Sequence, residues 1–325
     1  MEKKAKTLQA NKLTPSAFLW KYGTLLALFI VCIFFAVMKP AFATVDNLFT
    51  ILRQIAMLVI LSAGLTFVLI TKRSDLSIGY GSSFLGVVVA ALMVNYGVNM
   101  WVAVLVTILL GAVIGLVNGF LVAYIGVPDF IATLGVGFLV SGINQAYTKG
   151  HPISMLPAGF GIFGSAKILG FIPAGVIVML IVLVVLYIIL EHTRFGRYVY
   201  AIGGNEEATL MSGIDVKRNM MMAFGVSGVC MGVMAVVLTS RLGSAHPLAG
   251  ESYLLDSIAA VYLGSTAFKN GEPNLAGTVV GALIIGVMNN GLTLMNVEYY
   301  YQDIAQGLII LLAVTLTSIQ KVKKK

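Results

Sequence analysis

The sequence predicts an all-α polytopic membrane protein with about ten transmembrane helices, some of them short or broken, and both termini cytoplasmic. Three observations predict it. Of the 325 residues, 59% belong to the apolar set AVILMFWYC and only 10% are charged. A soluble domain averages about 25% charged and about 45–50% apolar residues, so too few polar side chains are present to cover a wetted surface. The same balance excludes a disordered chain. Second, apolar runs recur at the length of about 20 residues that a helix needs to cross hydrocarbon. Third, the net charge of +8 gathers at the ends of those runs. Basic residues there set orientation, so the charge reads as a topology signal, and no nucleic acid partner is expected.

Clear spans fall near 20–38, 48–71, 101–125, 173–190, 220–240, 275–295 and 301–319. The stretch up to Lys12 is basic and polar, and no small-residue cleavage site follows the first apolar run, which therefore reads as an uncleaved span. Three weaker segments lie at 76–96, 130–148 and 253–267, each interrupted by glycine or hydroxyl residues. Such segments read as broken or buried helices, because irregular backbone at membrane depth survives only inside protein or beside a water-filled cavity. Ten spans place both termini on one side. Sixteen of the 21 Lys and Arg then share that side, among them Lys72, Arg73, Arg194, Arg197, Lys217 and Arg218. By the positive-inside rule that side is the cytoplasm. The chain divides into a tail at 1–19, one membrane domain at 20–319 and a basic tail at 320–325.

Small residues suggest how the spans pack. Gly111, Gly115 and Gly119 recur every fourth residue, as do Gly228/Gly232 and Gly277/Gly281. Each set makes a flat groove on one helix face, which permits the close backbone approach that replaces a hydrophobic drive in lipid. Amides in or near the spans (Asn118, Asn144, Gln145, Asn289, Asn290) are expected to bond across helices. The adjacent pair Asn289 and Asn290 is the best candidate for a pathway, since two amides are costly to bury without partners. Cys32 and Cys230 lie within apolar runs and read as small buried hydrophobes.

Several chemistries are missing. There is no phosphate-cradling GxxxxGK[ST] loop and no His/Cys cluster at metal spacing. The expectation is therefore no metal, no cofactor on this chain and no catalytic residue. No dense polar pocket is apparent. None of the 13 acidic residues falls near the middle of a clear span, where a proton-driven carrier usually places a relay. The energy for transport is expected to come from elsewhere.

The long cytoplasmic loop at 192–219 offers a means. Asn205 is a good N-cap, Glu206 and Glu207 suit the positive first turn, and Gly213 suits a left-handed stop. A helix of about two turns is predicted, flanked by short basic linkers, and too short to be stable without something to dock on.

At this loop the chain resembles a known family. Thr193-Arg194-Phe195-Gly196-Arg197, Ala201 to Ala208 and Ser212-Gly213-Ile214 are similar to the permease subunits of bacterial ABC sugar importers of the ribose/xylose/arabinose/galactose type. So are Asp75-Leu76-Ser77-Ile78-Gly79, Phe130 to Gly135, Ser240 to Ala245, Leu255 to Val261 and Gly286 to Leu292. The resemblance covers nearly all of the chain from about residue 45. It departs at Thr71-Lys72-Arg73-Ser74, where the family has Thr-Gly-Gly-Ile, and at His246-Pro247, where it has Gln-Pro. The sugar itself stays open.

The resemblance implies a homodimer, a cytoplasmic ATP-binding-cassette ATPase, a periplasmic or lipid-anchored sugar-binding protein that holds most of the specificity, and residence in the bacterial inner membrane among its lipids. It makes Asn205, Glu206, Glu207, Ala208, Leu210, Met211 and Gly213 the expected coupling element. Asp75, Ser77 and Ser82 are expected at a gate, with Asp75 capping the third span. Arg241, Ser244, His246, Glu251 and Asp256 are expected to dock the binding protein. A nucleoside or branched-chain amino acid permease, or a secondary carrier, is the alternative.

Overall fold

The computed structural model describes residues 15–168, 170–268, 271–298, 300–305, 307, 308, 311 and 315. Eleven α-helices are named in chain order: α1 (Pro15–Met38), α2 (Val45–Ile70), α3 (Ile78–Val94), α4 (Met100–Phe120), α5 (Asp129–Thr148), α6 (Ala174–Tyr187), α7 (Arg194–Gly204), α8 (Glu206–Met211), α9 (Val216–Leu242), α10 (Ser252–Ser265) and α11 (Leu275–Leu294). Helices α4 and α6 each widen into a closing π turn, at Leu121–Ile125 and Ile188–His192. With those turns included, six helices among the described residues are long and apolar enough to cross a membrane: Val45–Ile70, Met100–Ile125, Asp129–Thr148, Ala174–His192, Val216–Leu242 and Leu275–Leu294. The protein is an all-α membrane protein. The tails at 1–14 and 320–325 and residues 269–270 lie outside the described residues, as does most of the span read at 301–319, of which 301–305 are helical.

Helix α2 is the axis. It is apolar on every face and buried from Ile55 to Ile70, as a helix ringed by others must be. Helices α9, α11, α10 and α6 pack around it, α4 and α3 pack on α9, α5 packs on α3, and α1 packs on α11. Two polar clamps join α2 to α11. Thr66 and Thr278 share a hydrogen bond of 2.8 Å. Asn47 and Asn290 exchange reciprocal amide bonds of 2.9 and 3.0 Å.

The glycine grooves interlock. A Cβ placed on Gly115 would strike the Phe224 carbonyl, and one on Gly228 would strike the Gly111 carbonyl. Helices α4 and α9 therefore touch backbone to backbone. Helices α10 and α11 do the same where Gly264 meets Gly277 and Gly281 meets Ala260. Of the three weak segments, α5 proves a full, unbroken helix. Its low hydropathy comes from residues such as Gly135 and Gly142, which face open space.

The other two weak segments are short helices, α3 and α10, each preceded by a break, and the breaks share one design. Residues 71–77 run without helix from the end of α2 to the start of α3. Asp75 in this stretch is fully buried. Its Oδ1 accepts from the Ser77 backbone N–H (3.1 Å) and the Ser77 hydroxyl (2.6 Å), and its Oδ2 accepts from the Ser227 hydroxyl of α9 (2.9 Å). The Asn118 amide of α4 donates to the Ser77 hydroxyl at 2.7 Å. Ser227 lies eleven residues into α9, about 16 Å along its axis at 1.5 Å per residue. Asp75 thus pins irregular backbone at membrane depth. It does not cap the first turn of α3 as expected, because α3 starts at Ile78 and the N–H that Asp75 holds is that of Ser77, the residue just before it. Nor is depth free of acids, as the spans alone suggested.

The second break precedes α10, whose 14 residues reach only about 20 Å. Residues 243–251 supply the missing depth. Ala245 pairs with Ile153, the Pro247 carbonyl accepts from Asn144 near the end of α5, and the Gly250 N–H then donates to Ser83 of α3 at 2.9 Å. Ser83 lies eleven residues before the end of α3, so this loop descends about 16 Å below that end.

Two predictions follow from this packing. Gly115→Ala is expected to force α4 and α9 apart and cost about 1–3 kcal/mol, as overpacking does, whereas Gly135→Ala is expected to be neutral. Thermal unfolding of the purified protein in detergent checks the contrast; equal midpoints would deny the groove its role. Asp75→Ala strands several buried donors, at about 1–3 kcal/mol for each group left unsatisfied. Ser227→Ala removes one donor only. The first substitution is expected to lower the melting midpoint clearly more than the second.

Candidate functional site

The structure places most of the candidate residues towards the two ends of the bundle, with Asp75, Ser77 and Ser82 buried between them. At the basic end, where Lys72, Arg73, Arg194, Arg197, Lys217 and Arg218 lie, two helices run outside the bundle. Helix α7 occupies the stretch read as a basic linker. Thr193 caps it, accepting from the Gly196 N–H at 3.3 Å, and Gly196, Val199 and Ile202 form its buried face. Phe195 stacks on Phe67 of α2, and Gly203 lies flush against the Ile70 carbonyl. The apolar spacing of Phe195, Val199 and Ile202 was the signal for this amphipathic helix. Lys217 and Arg218 likewise belong to the first turn of α9 rather than to a linker.

Helix α8 is the helix expected between Asn205 and Gly213. The Asn205 side chain accepts from the Ala208 N–H at 2.9 Å. Gly213 closes the other end with φ of +77°, a conformation that costs a residue with a side chain about 1–2 kcal/mol. Asn205, Glu206, Glu207 and Ala208 are exposed. Leu210 and Met211 are 58% and 84% exposed, with no side-chain partner to cover them. Glu206 is already engaged within the chain, through an ion pair of 3.0 Å with Arg73. Both partners are well exposed, so solvent screens the pair to at most about 1 kcal/mol. Lys72 reaches the Gly204 carbonyl at 3.5 Å. The helix pair is thus tethered to the stretch that leads into the Asp75 pin.

Of the gate candidates, Asp75 and Ser77 belong to that pin. Ser82 is buried one turn further on, its hydroxyl donating to the Ile78 carbonyl at 2.6 Å, where Gly250 packs against it.

At the opposite end a cavity of about 380 Å³ opens between α2, α10, α11, the end of α9 and the segment at 300–305. It unites Arg241 and Asp256, expected at the docking surface, with Asn289, expected on the pathway. Gln54, Tyr253, Gln302 and Asp303 also line it. The Arg241 guanidinium and the Tyr253 phenol share this lining. Gln54 Oε1 is buried with no hydrogen-bond partner among the described residues. No dense polar pocket was apparent in the sequence, and this one was missed because its walls come from five separate segments. Asn290 is not part of it, since its amide is spent on Asn47. Ser244 is half-buried and His246 exposed on the descending loop, while Glu251, also half-buried, precedes α10.

A family model described as "Branched-chain amino acid transport system / permease component" matches residues 47–314. The chain is 40% identical to the ribose import permease protein RbsC of Escherichia coli K12 over 315 residues, covering 95% of this chain and 97% of that one. It is 42% identical to the ribose import permease protein RbsC of Bacillus subtilis 168 (91% and 92% covered), and 37% identical to the D-allose transport system permease protein AlsC of E. coli K12 (92% of each). No solved structure matches. With a family match over most of its length and relatives that align almost end to end, the chain belongs to this family of transport-system permease components.

Proposed function

We propose that the chain is the membrane-spanning permease subunit of a bacterial ATP-binding-cassette importer for a monosaccharide. It is a transport subunit of the inner membrane and has no ATPase site of its own. Helix α8 carries this reading: it is too short to stand alone, is capped at both ends, and presents Leu210 and Met211 uncovered. In this reading α8 is the coupling helix that seats in a cytoplasmic ATPase, which holds ATP and Mg. The basic end is the cytoplasmic end, both termini lie there, and about ten helices cross the membrane. The relatives named for ribose and D-allose support a sugar over the amino acid in the family description. A binding protein outside the membrane delivers the sugar to the opposite end, and two copies of the chain assemble in lipid around the path. Arg241, Ser244, His246, Glu251 and Asp256 ring the end where that protein docks.

Transport requires that ATP binding stabilise one membrane state over another. The contacts of α8 with Arg73, and of α7 with Ile70, support a stroke that enters the bundle through residues 70–77 and moves the start of α3, where Ser77 and Ser82 lie. A secondary carrier is the second reading, because Asp75 is an acid at depth. Both its oxygens already accept hydrogen bonds from the chain, which favours a structural pin over a relay.

The purified subunit is expected to hydrolyse no ATP, and vesicles bearing it are expected to accumulate sugar only with the ATPase and the binding protein. Accumulation by the subunit alone would refute the importer reading. Replacing Glu206 and Glu207 together by Arg, or Gly213 by Val, is expected to leave insertion near normal while lowering ATPase association and uptake together, at least tenfold. If adding Arg73→Glu to Glu206→Arg restores uptake, Glu206 acts by bracing α8 within the chain rather than by meeting the partner.

A further inference from the structure

We propose that the cavity lined by Gln54, Asp256 and Asn289 is a subsite at which this chain itself binds the monosaccharide during transit. The inference rests on the importer reading and deepens it. The cavity volume of about 380 Å³ lies at the small end of the range of about 300–1,000 Å³ found for small-molecule sites. A neutral sugar presents many hydroxyls, each of which both donates and accepts. Carboxylates accept from such hydroxyls, amides do both, and a guanidinium donates. The walls hold all three kinds: Asp256 and Asp303, then Gln54, Asn289 and Gln302, then Arg241. The partnerless Gln54 Oε1 is an acceptor that a sugar hydroxyl satisfies.

The same walls disfavour the alternative cargoes. A branched-chain amino acid needs a broad apolar surface for its side chain, and among the described lining residues Ile55, Leu58 and the face of Gly286 offer a narrow one. A nucleobase needs a stacking platform on each face, and Tyr253 is the sole aromatic lining residue among those described. The position also fits. Gln54 lies nine residues inside the start of α2, about 14 Å along the helix, and the descending loop leads to Tyr253 and Asp256 from one side. The subsite therefore lies below the docking end and above the Asp75 pin. Cargo released by a binding protein would meet it before any deeper gate.

Saturation-transfer NMR on the purified permease in detergent, without partners, tests this with D-ribose, D-allose, D-galactose, uridine and L-leucine as probes. Transfer to one or more of the sugars is expected, falling at least fivefold in Asn289→Leu, which fills the cavity, and in Gln54→Leu. If either variant fails to fold, Gln302→Ala at the rim is expected to reduce transfer at least twofold. No transfer to any sugar, undiminished transfer in the folded variants, or stronger transfer to L-leucine or uridine would overturn the subsite. Uptake by vesicles holding the permease, its ATPase and its binding protein separates the two claims. Sugar uptake without sugar transfer defeats the subsite alone, whereas uptake of leucine or uridine in place of sugar defeats the importer reading.

Discussion

Backbone that leaves the helix at membrane depth has no water to bond, and this protein leaves it twice. Both departures are satisfied from within. At 71–77 the Ser74 and Leu76 N–H groups donate to Asp129 and Thr133 of α5 and the Ser77 N–H to Asp75, which Ser227 of α9 holds in turn. At 243–251 they are the Ser83 hydroxyl and the Asn144 amide. Neither arrangement is possible unless the helices stand close, and that closeness comes from glycine. The interlock of Gly111 and Gly115 with Gly228 sets the distance at which Asn118 on α4 and Ser227 on α9 reach the same short segment. The packing of α4 on α9 is thus a condition for the irregular backbone, and the irregular backbone is what positions everything functional.

The two breaks are also in contact with each other. Arg73 meets α8, Asp75 follows two residues later, α3 starts at Ile78, and Gly250 rests against Gly79, Ser82 and Ser83. From Gly250 the chain proceeds within six residues to Asp256 in the cavity. A helix at one end of the bundle and a polar cavity at the other are therefore joined by a short series of van der Waals and hydrogen-bonded contacts. Most of them involve backbone or small side chains, which leaves little slack.

Local signals in the sequence carried far and non-local ones did not. Asn205 and Gly213 announced α8 because a cap acts within one turn. The glycine repeats announced packing because their four-residue spacing is a property of one helix. The weak segments were correctly suspect at α3 and α10 and wrongly so at α5, since glycines lower hydropathy alike whether a helix is broken or merely faces outward. The depth of Asp75 was invisible because it depends on where α4 and α9 stand. Neighbours diverged for the same reason: Asn289 lines the cavity while Asn290 is turned about 100° away onto α2. The cavity's residues lie up to about 250 positions apart, and no window of sequence contains them together.

The shortness of α10 bears on how the protein is made. A segment of 14 residues carrying Asp256 is a poor candidate for partition into lipid by itself, since an Asp at a helix centre costs about 2.5–3.5 kcal/mol on insertion. Its glycine contacts are with α11, which leaves the ribosome after it. Its other partners, α2 and α3, precede it in the chain, so what holds α10 in place is contact with helices on both sides of it in sequence rather than its own hydropathy.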